Sequence, residues 1–213
     1  MGRRALRKIR PHVDLSHHFL ALDELPTAPW SERLFGRSAP LEVEVGSGKG
    51  LFLAWAARAA AQRDFLGSEI ALRYARFAAA RLARAEIPNA KVIHGDAQLL
   101  LRDHLLDGSI DAIHIYFPDP WWKRRHRKRR VMNEAFLLDV HRVLISGGRL
   151  HFWTDVEQYF RLTCDLIANR IPLSGPRRVP EAPASHDLDF RTHFERRTRL
   201  ADQRVYRAEF VKD

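Results

Sequence analysis

The chain has 213 residues, enough for one domain of ordinary size with short extensions, and its 46% apolar content is typical of a globular protein. No stretch reaches the roughly 18 uninterrupted apolar residues of a membrane span, and no cleavable signal follows the basic N-terminal segment. We therefore expect a soluble, cytoplasmic protein with no membrane partner. The net charge of +10 indicates a polyanionic partner, most simply a nucleic acid. The single cysteine, Cys164, excludes an intramolecular disulfide and a Cys-x-x-Cys pair, and we expect no metal.

The first 39 residues differ in composition from the rest of the chain. They are basic and interrupted by proline, so we assign residues 1–39 to an N-terminal extension and residues 40–213 to one α/β domain. The segment RRALRKIR within the extension is either a second RNA-binding arm or a solubilising tail. The sequence leaves the oligomeric state open between monomer and homodimer.

From about residue 40, short apolar runs alternate with longer segments of helical periodicity. The runs LEVEV, DFLGSEI, AKVIHGDA, SIDAIHIYF and RLHFWTD predict strands. Helices are predicted between and after them, at GLFLAWAARAAAQR, ALRYARFAAARLARAEI, AQLLLRDHL, NEAFLLDVHRVLI (closed by Gly147 and Gly148) and VEQYFRLTCDLIANR. Residues 171–190, with four prolines, predict a long loop, and RVYRAEFV a late antiparallel edge strand. Such alternation predicts an α/β fold with a mainly parallel sheet and helices on both faces.

An acidic residue stands at or near the end of each of the first five predicted strands. Ligands of open α/β sheets bind outside the carboxyl ends of the strands. Five acids at that edge indicate a functional site more strongly than any one of them, since a single acid often caps a helix. The five are Glu44, Glu69, Asp96, Asp119 and Asp155.

The segment EVGSGKG after the first strand predicts a glycine-rich turn into a helix. Gly46, Gly48 and Gly50 would allow a ligand to approach the backbone closely. The spacing differs from the G-x-G-x-x-G of dinucleotide folds and from a phosphate-binding P-loop. Glu44, two residues before the first glycine, would repel a pyrophosphate and attract a cation.

The next two acids favour an adenosine cofactor. Glu69 lies where a carboxylate accepts hydrogen bonds from ribose hydroxyls, and Asp96 could accept from an adenine amino group. Glu44 would then face a positive centre. S-adenosylmethionine, which has a sulfonium and an α-amino group but no phosphates, suits this arrangement.

The stretch FPDPWWKRRHRKRR places one carboxylate, Asp119, before the most basic run of the chain. The run predicts phosphate contact, because arginine offers paired donors to phosphate oxygens. Four aromatic residues near the acids could receive a flat base. Trp121 and Trp122 are expected to line the site, whereas Phe117 and Trp153 could equally belong to the core.

These motifs carry a resemblance to a known family. LEVEVGSGKG, FLGSEI, HGDA, FPDPWWKRRHRKRR, FWTD and THFE, in this order and spacing, resemble the bacterial tRNA (guanine-N7-)-methyltransferases over roughly residues 40–210. EVGSGKG is generic for class I methyltransferases, whereas FPDPW with its basic run is highly specific. The resemblance implies a Rossmann-like class I S-adenosylmethionine-dependent methyltransferase that modifies N7 of guanine 46 in the variable loop of tRNA.

The resemblance also implies residue roles. Asp119 is the expected catalytic residue, and it also contacts the cofactor together with Glu44, Gly46, Gly48, Glu69 and Asp96. The expected substrate-binding residues are Lys123, Asp155, Thr192, His193, Phe194 and Glu195. The expected RNA contacts are Arg125, His126, Arg127, Lys128, Arg129 and Arg130.

The chain departs from the family pattern at three positions. Trp122 stands where Pro or His is usual, His193 where Lys or Arg is usual, and Ser47 where Phe or Cys is frequent. Three alternatives remain: a nicotinamide oxidoreductase, a non-catalytic RNA-binding protein on the same scaffold, and a methyltransferase acting on another RNA base. The glycine spacing argues against the first, and the retained acids argue against the second.

Overall fold

The computed structural model describes residues 13–25, 30–121, 130–181, 183 and 190–213, without the side chains of Trp30 and Ser31. Its strands are β1 (Phe19–Ala21), β2 (Leu41–Val45), β3 (Asp64–Glu69), β4 (Ala90–His94), β5 (Ile110–Tyr116), β6 (Leu144–Thr154), β7 (Ser174–Arg178) and β8 (Tyr206–Val211). Its helices are α1 (Trp30–Phe35), α2 (Leu51–Ala59), α3 (Leu72–Arg84), α4 (Ala97–Leu99), α5 (Glu134–Val143), α6 (Glu157–Arg170) and α7 (His193–Leu200). A 3₁₀ turn covers Leu22–Glu24, and a π-helical turn, Leu100–His104, continues α4.

The strands form one eight-stranded sheet in the order β1-β4-β3-β2-β5-β6-β8-β7. Strands β1 to β6 pair in parallel, and β8 is antiparallel to both of its neighbours, β6 and β7. This confirms the mainly parallel α/β sheet and the late antiparallel strand, but β8 lies one strand inside the edge that was expected for it, because β7 pairs on its outer side. The strand β1 comes from the segment assigned to the N-terminal extension, and it pairs with β4 through Phe19 and Val92.

Two details of the sequence prediction are wrong. Helix α5 ends at Val143 and β6 begins at once, so Gly147 and Gly148 lie inside a strand rather than in a turn. The register between β5 and β6 shifts between Leu144 and Arg149, so the two glycines lie in an irregular part of the strand. In the sequence, such a pair of glycines resembles a turn. The second error concerns residues 171–190, where β7 pairs with β8 although a loop was expected. The prolines of this segment are compatible with β7 because it lies at the edge of the sheet.

Apolar side chains cover both faces of the sheet. On one face α5 and α6 bury Phe136, Val140 and Ile167 against β5 and β6. On the other face α2 and α3 pack through small residues, and a Cβ added at Gly50 would lie 2.8 Å from the Cβ of Ala78. The close approach of these two helices fixes the glycine-rich turn against α3. Within the described ranges, no helix has the length and apolar character needed to cross a lipid bilayer.

Candidate active site

The sheet order brings the five strand-end acids to one edge. Because β4, β3, β2, β5 and β6 are adjacent and parallel, their carboxyl ends follow one another across the sheet. The chain order reverses between β2 and β5, and such a switch point is where α/β sheets bind ligands. Along the edge the acids lie in the order Asp96, Glu69, Glu44, Asp119 and Asp155.

The glycine-rich turn is held by backbone contacts and by Glu69. Gly46 and Gly48 have φ angles of 77° and 54°, in the left-handed region that glycine adopts without strain. The Gly48 amide donates to Glu69 Oε2 at 2.8 Å, and the Ala71 amide donates to Oε1 at 2.9 Å. Glu69 therefore joins the turn after β2 to the turn after β3. Each carboxylate oxygen can accept more than one hydrogen bond, so ligand hydroxyls could still bind there.

Glu44 lies buried at the centre of the edge. The Ser47 hydroxyl lies close to this carboxyl group, and apart from each other neither Glu44 Oε2 nor Ser47 Oγ has a hydrogen-bonding neighbour among the described residues. Burial raises the pKa of Glu44 to about 8; the Ser47 hydroxyl opposes this shift, and the negative charge of Glu69 adds to it. Burial therefore favours the neutral, protonated carboxyl group in the absence of ligand, and a ligand that places a cation here would favour the ionised carboxylate.

Asp96 begins the short helix after β4. Its Oδ1 accepts from the Gln98 amide at 2.9 Å, which makes Asp96 an N-cap residue. The side chain is half-buried, and its second oxygen is open to an amino group. The capping role and the predicted ligand role are therefore compatible.

Asp119 is exposed in a loop with an unusual backbone. Phe117 and Trp121, on either side of the Pro-Asp-Pro segment, have φ angles of 53° and 41°, which are strained for side-chain-bearing residues. The Phe117 amide donates to the Trp153 carbonyl at 2.8 Å, and Arg130 Nε donates to the Pro120 carbonyl at 2.7 Å. These contacts fix the loop, so Asp119 projects from a defined position. Trp121 is half-buried in the same loop.

Asp155 directly follows β6 and is exposed. The preceding Thr154 is buried, and its hydroxyl accepts from the Val156 amide at 3.2 Å. The turn into α6 is therefore fixed, while the carboxylate of Asp155 stays open to solvent.

Two residues of the THFE motif stabilise the start of α7. The Thr192 hydroxyl accepts from the Glu195 amide at 2.9 Å, and Glu195 Oε2 accepts from the Arg191 amide at 2.8 Å. Glu195 Oε1 also pairs with Arg207 at 3.1 Å and Arg199 at 3.4 Å. Glu195 is only 4% exposed, so its carboxylate is committed to the fold.

The other two residues of the motif face the site. Phe194 is exposed and stacks on Phe117, with 5.9 Å between ring centroids. Burial by surrounding atoms, with the positive charges of Arg81, Lys49 and Arg196, lowers the pKa of His193 to about 4. His193 is therefore neutral at pH 7. Helix α7 thus brings its N-terminus beside the Asp119 loop, which the spacing in sequence did not show.

Sequence reasoning missed Arg191. Its guanidinium lies over the rings of Trp55 at 4.9 Å and Trp153 at 5.1 Å. For Trp153 and Phe117 the sequence left open whether the side chain lines the site or belongs to the core. Trp153 is buried and belongs to the core, whereas Phe117 is half-buried. The only signal in the sequence is that Arg191 precedes the THFE motif, and arginine is common throughout this chain.

The remaining expected RNA and substrate contacts lie outside the described residues. They are Trp122, Lys123, Arg125, His126, Arg127, Lys128 and Arg129. Arg130 is described, and its guanidinium lies 5.7 Å from the ring centroid of Tyr159. Within the part of the chain that the structure describes, there is no group of three or more His, Cys, Asp or Glu side chains that could hold a metal ion.

Comparison with known proteins gives relatives along the whole chain. A tRNA (guanine-N(7)-)-methyltransferase of Rhodopirellula baltica is 49% identical over 100% of this chain and 80% of its own length. The enzyme of the same name from Thermus thermophilus is 35% identical over 86% of this chain and 58% of its own length. The corresponding protein of Rubrobacter xylanophilus is 34% identical, with 85% of this chain and 81% of the relative covered.

Solved structures agree on the fold. The 16S rRNA methyltransferase KamB aligns with a TM-score of 0.64 and 15% identity over 88% of this chain and 95% of its own. A 16S rRNA (adenine(1408)-N(1))-methyltransferase variant aligns with a TM-score of 0.59 and 19% identity over 82% and 87%. At these identities the likeness supports only the methyltransferase fold. Residues 38–208 also match a family described as "Putative methyltransferase". The acid-lined sheet edge, the fold and relatives that match most or all of this chain together place it in the family of bacterial tRNA (guanine-N(7)-)-methyltransferases.

Proposed function

We propose that the protein transfers a methyl group from S-adenosylmethionine to N7 of guanine 46 in the variable loop of tRNA, acting in the cytoplasm. The observation that carries the proposal is the buried carboxyl group of Glu44, whose Oε2 has no hydrogen-bond partner among the described residues and which lies at the switch point of the sheet in a chain of this family. A nicotinamide dinucleotide would bring a pyrophosphate to that carboxylate, which electrostatics disfavours.

The residues present fit the cofactor. When bound, S-adenosylmethionine supplies an electrophilic methyl group on a sulfonium. Glu44 would pair with its ammonium group, and Glu69 would accept from its ribose hydroxyls without releasing the Gly48 amide. Asp96 would accept from the adenine amino group. Gly46 and Gly48 would allow backbone contact, because no side chain projects from the turn at those positions.

The nucleophile requires alignment rather than a base. Guanine N7 has an in-plane lone pair and no proton, so no residue has to deprotonate it. The ring becomes cationic as the methyl group is transferred, and a fixed carboxylate stabilises such charge. Asp119 supplies this carboxylate, since it projects from a loop fixed by the Phe117 amide and by Arg130.

The geometry also favours a division of roles among the acids. A carboxylate could select guanine by accepting from its N1–H and its 2-amino group. Glu195 is buried in ion pairs, whereas Asp119 and Asp155 are exposed. We therefore assign base contact to Asp119 and Asp155, and we assign Glu195 to holding α7. Thr192 acts with Glu195, while His193 and Phe194 contact the substrate.

The RNA would be held by charge. Lys123 and the run Arg125, His126, Arg127, Lys128, Arg129 and Arg130 would contact phosphates, which position RNA without reading its sequence. Trp121 and Phe194, near Asp119, would receive the guanine once it leaves its stack.

The experiment is a methyl-transfer assay with bulk tRNA and labelled cofactor, followed by aniline cleavage to locate 7-methylguanosine. Asp119→Asn should lower turnover by about 10²-fold or more even at saturating cofactor, the condition that separates its catalytic role from its expected cofactor contact. Glu157→Gln, which changes an exposed acid on α6, is the control and should keep full turnover. Label in another base, or near-normal turnover of Asp119→Asn, would contradict the proposal.

A further inference from the structure

Arg81 lies where three elements of the site meet. Its Nε donates to the Lys49 carbonyl in the glycine-rich turn at 2.8 Å. Its Nη2 lies 3.4 Å from His193 Nε2 at the start of α7. Arg81 itself belongs to α3, so one half-buried guanidinium joins α3, the turn and the start of α7.

Further cations surround Arg81. Burial, with the positive charges of Arg84 and Arg58, lowers the pKa of the Arg81 guanidinium. Lys49, on the turn, is near enough to His193 to help lower the pKa of that imidazole. We call Lys49, Arg58, Arg81 and Arg84 the Arg81 cluster. Arg58 and Arg84 are exposed, and Lys49 is half-buried.

Within the described part of the chain, several other cations are paired with acids, whereas three members of the cluster are not. Arg142 pairs with Asp107, Arg161 with Glu157, and Arg102 with Asp103. By contrast, Lys49, Arg58 and Arg84 form no ion pair with any carboxylate among the described residues. The mutual repulsion of these charges is therefore uncompensated within that part of the protein.

Helix dipoles explain only part of the arrangement. Arg58 lies in the last turn of α2, and Arg81 and Arg84 in the last turn of α3, where the carbonyl ends of helices favour cations. Lys49 lies just before the N-terminus of α2, where a cation is disfavoured. A role in helix stability therefore does not account for Lys49, whereas an anionic partner accounts for all four residues.

We propose that the Arg81 cluster binds phosphates of the tRNA backbone and forms a second RNA-binding surface beside the glycine-rich turn, distinct from the Arg125–Arg130 run. This inference rests on the proposed function, which makes tRNA the substrate. The cluster would hold RNA phosphates beside the glycine-rich turn and the start of α7, close to where one base would enter the site. Guanidinium groups are suited to this role because they bind phosphate oxygens through paired donors.

The test measures tRNA affinity as a function of salt with the double variant Arg58→Gln/Arg84→Gln. Both residues are exposed, so the substitutions should leave folding and the Kd for the cofactor unchanged. Each lost phosphate contact should reduce the slope of log K against log[salt] by roughly 0.7 to 0.9, so the expected reduction for two contacts is about 1.4 to 1.8. Arg102→Gln/Arg161→Gln is the matched control: it removes the same charge from exposed, acid-paired positions and should keep a steeper slope than the cluster variant.

A second pair of substitutions separates charge from structure. Arg58→Lys/Arg84→Lys should restore the slope, because lysine keeps the positive charge and the slope depends on the number of phosphates that are neutralised. The inference is overturned if the Gln double variant matches the control double variant in slope and affinity, or if the Lys double variant fails to restore the slope. Wild-type protein that binds tRNA with the expected slope but leaves N7 unmethylated would overturn the proposed function and not this surface.

Discussion

Replacing Glu44 by Gln should stabilise the ligand-free protein and weaken its binding of S-adenosylmethionine. The carboxylate is buried, one of its oxygens has no partner among the described residues, and burial raises its pKa from 4.5 to about 8. In the unfolded chain this group ionises at its ordinary pKa. Folding therefore requires Glu44 to hold its proton at pH values at which the unfolded chain has lost it.

The sign follows from that difference. Below pH 4.5 both states are protonated and Glu44 contributes nothing to the pH dependence of stability. Between pH 4.5 and 8 the unfolded state ionises alone, so the free energy of unfolding falls as pH rises. At pH 7 the loss amounts to about 3 kcal/mol, taken as about 1.36 kcal/mol for each of about 2.5 pH units. Glutamine has the shape of the protonated acid and does not ionise, so it removes this loss.

The measurement is urea unfolding of both proteins without ligand at several pH values from about 5 to 8, the range in which only the unfolded state ionises. The difference between variant and wild type cancels titrations elsewhere, and it should grow with pH in favour of the variant. Calorimetric titration with the cofactor should show weaker binding by the variant, since the neutral amide of glutamine cannot neutralise an ammonium group. A variant that is equally stable at every pH, or that binds the cofactor as tightly as wild type, would refute the reasoning.

Three other substitutions or reactions test separate parts of the structure. Gly50→Ala should lower the free energy of unfolding by about 1–3 kcal/mol, because the new Cβ meets Ala78 at 2.8 Å. Gly108→Ala is the control: Gly108 also has a positive φ, but a Cβ there has no neighbour within 4 Å. In thermal melts the Gly108 variant should therefore lose less stability than the Gly50 variant. Burial raises the pKa of the Cys164 thiol from 9.0 to about 11, so the folded protein contains less of the reactive thiolate than the unfolded chain. Ellman's reagent at about pH 7.5 should therefore label the folded protein about 100-fold more slowly than the urea-unfolded chain. Equal labelling rates would contradict this. Glu195→Ala should lower the free energy of unfolding by about 3–5 kcal/mol, because it leaves the 5% exposed Arg207 without this partner. The control Asp119→Asn changes an exposed residue and should melt like the wild-type protein. If the Glu195 variant has normal stability, the assignment of Glu195 to holding α7 is wrong and its expected role in substrate binding stands.

The parts of the fold that follow local patterns could be predicted from the sequence. The run LEVEV is a strand with Leu41 and Val43 buried, and the acids after the parallel strands share one edge because parallel strands end together. Strand β7 could not be predicted, since SGPRR has neither alternation nor apolar content and depends on β8 for its pairing. Similarly, Gly147 and Gly148 indicate a sharp bend, and only the pairing with β5 shows that the bend lies within a strand.

The candidate site was predicted in part for the same reason. The positions of Glu44 and Glu69 follow from strand ends, but the partners of Glu195 do not, because Arg207 lies on β8 and reaches α7 only in the folded chain. His114 is a buried polar residue in the largely apolar strand β5. It pairs with Glu42 at 2.7 Å, a contact between the neighbouring strands β2 and β5, which are far apart in sequence.

The position of β8 has a consequence during synthesis. It follows every other described strand in the chain, yet it occupies an interior place between β6 and β7. Until Tyr206–Val211 leave the ribosome, β6 presents an unpaired edge, and Arg207 is not available to Glu195. An exposed strand edge invites pairing with other chains. We therefore expect chaperones to bind nascent chains that are stalled before β8. In such chains α7 should not be fixed beside the glycine-rich turn.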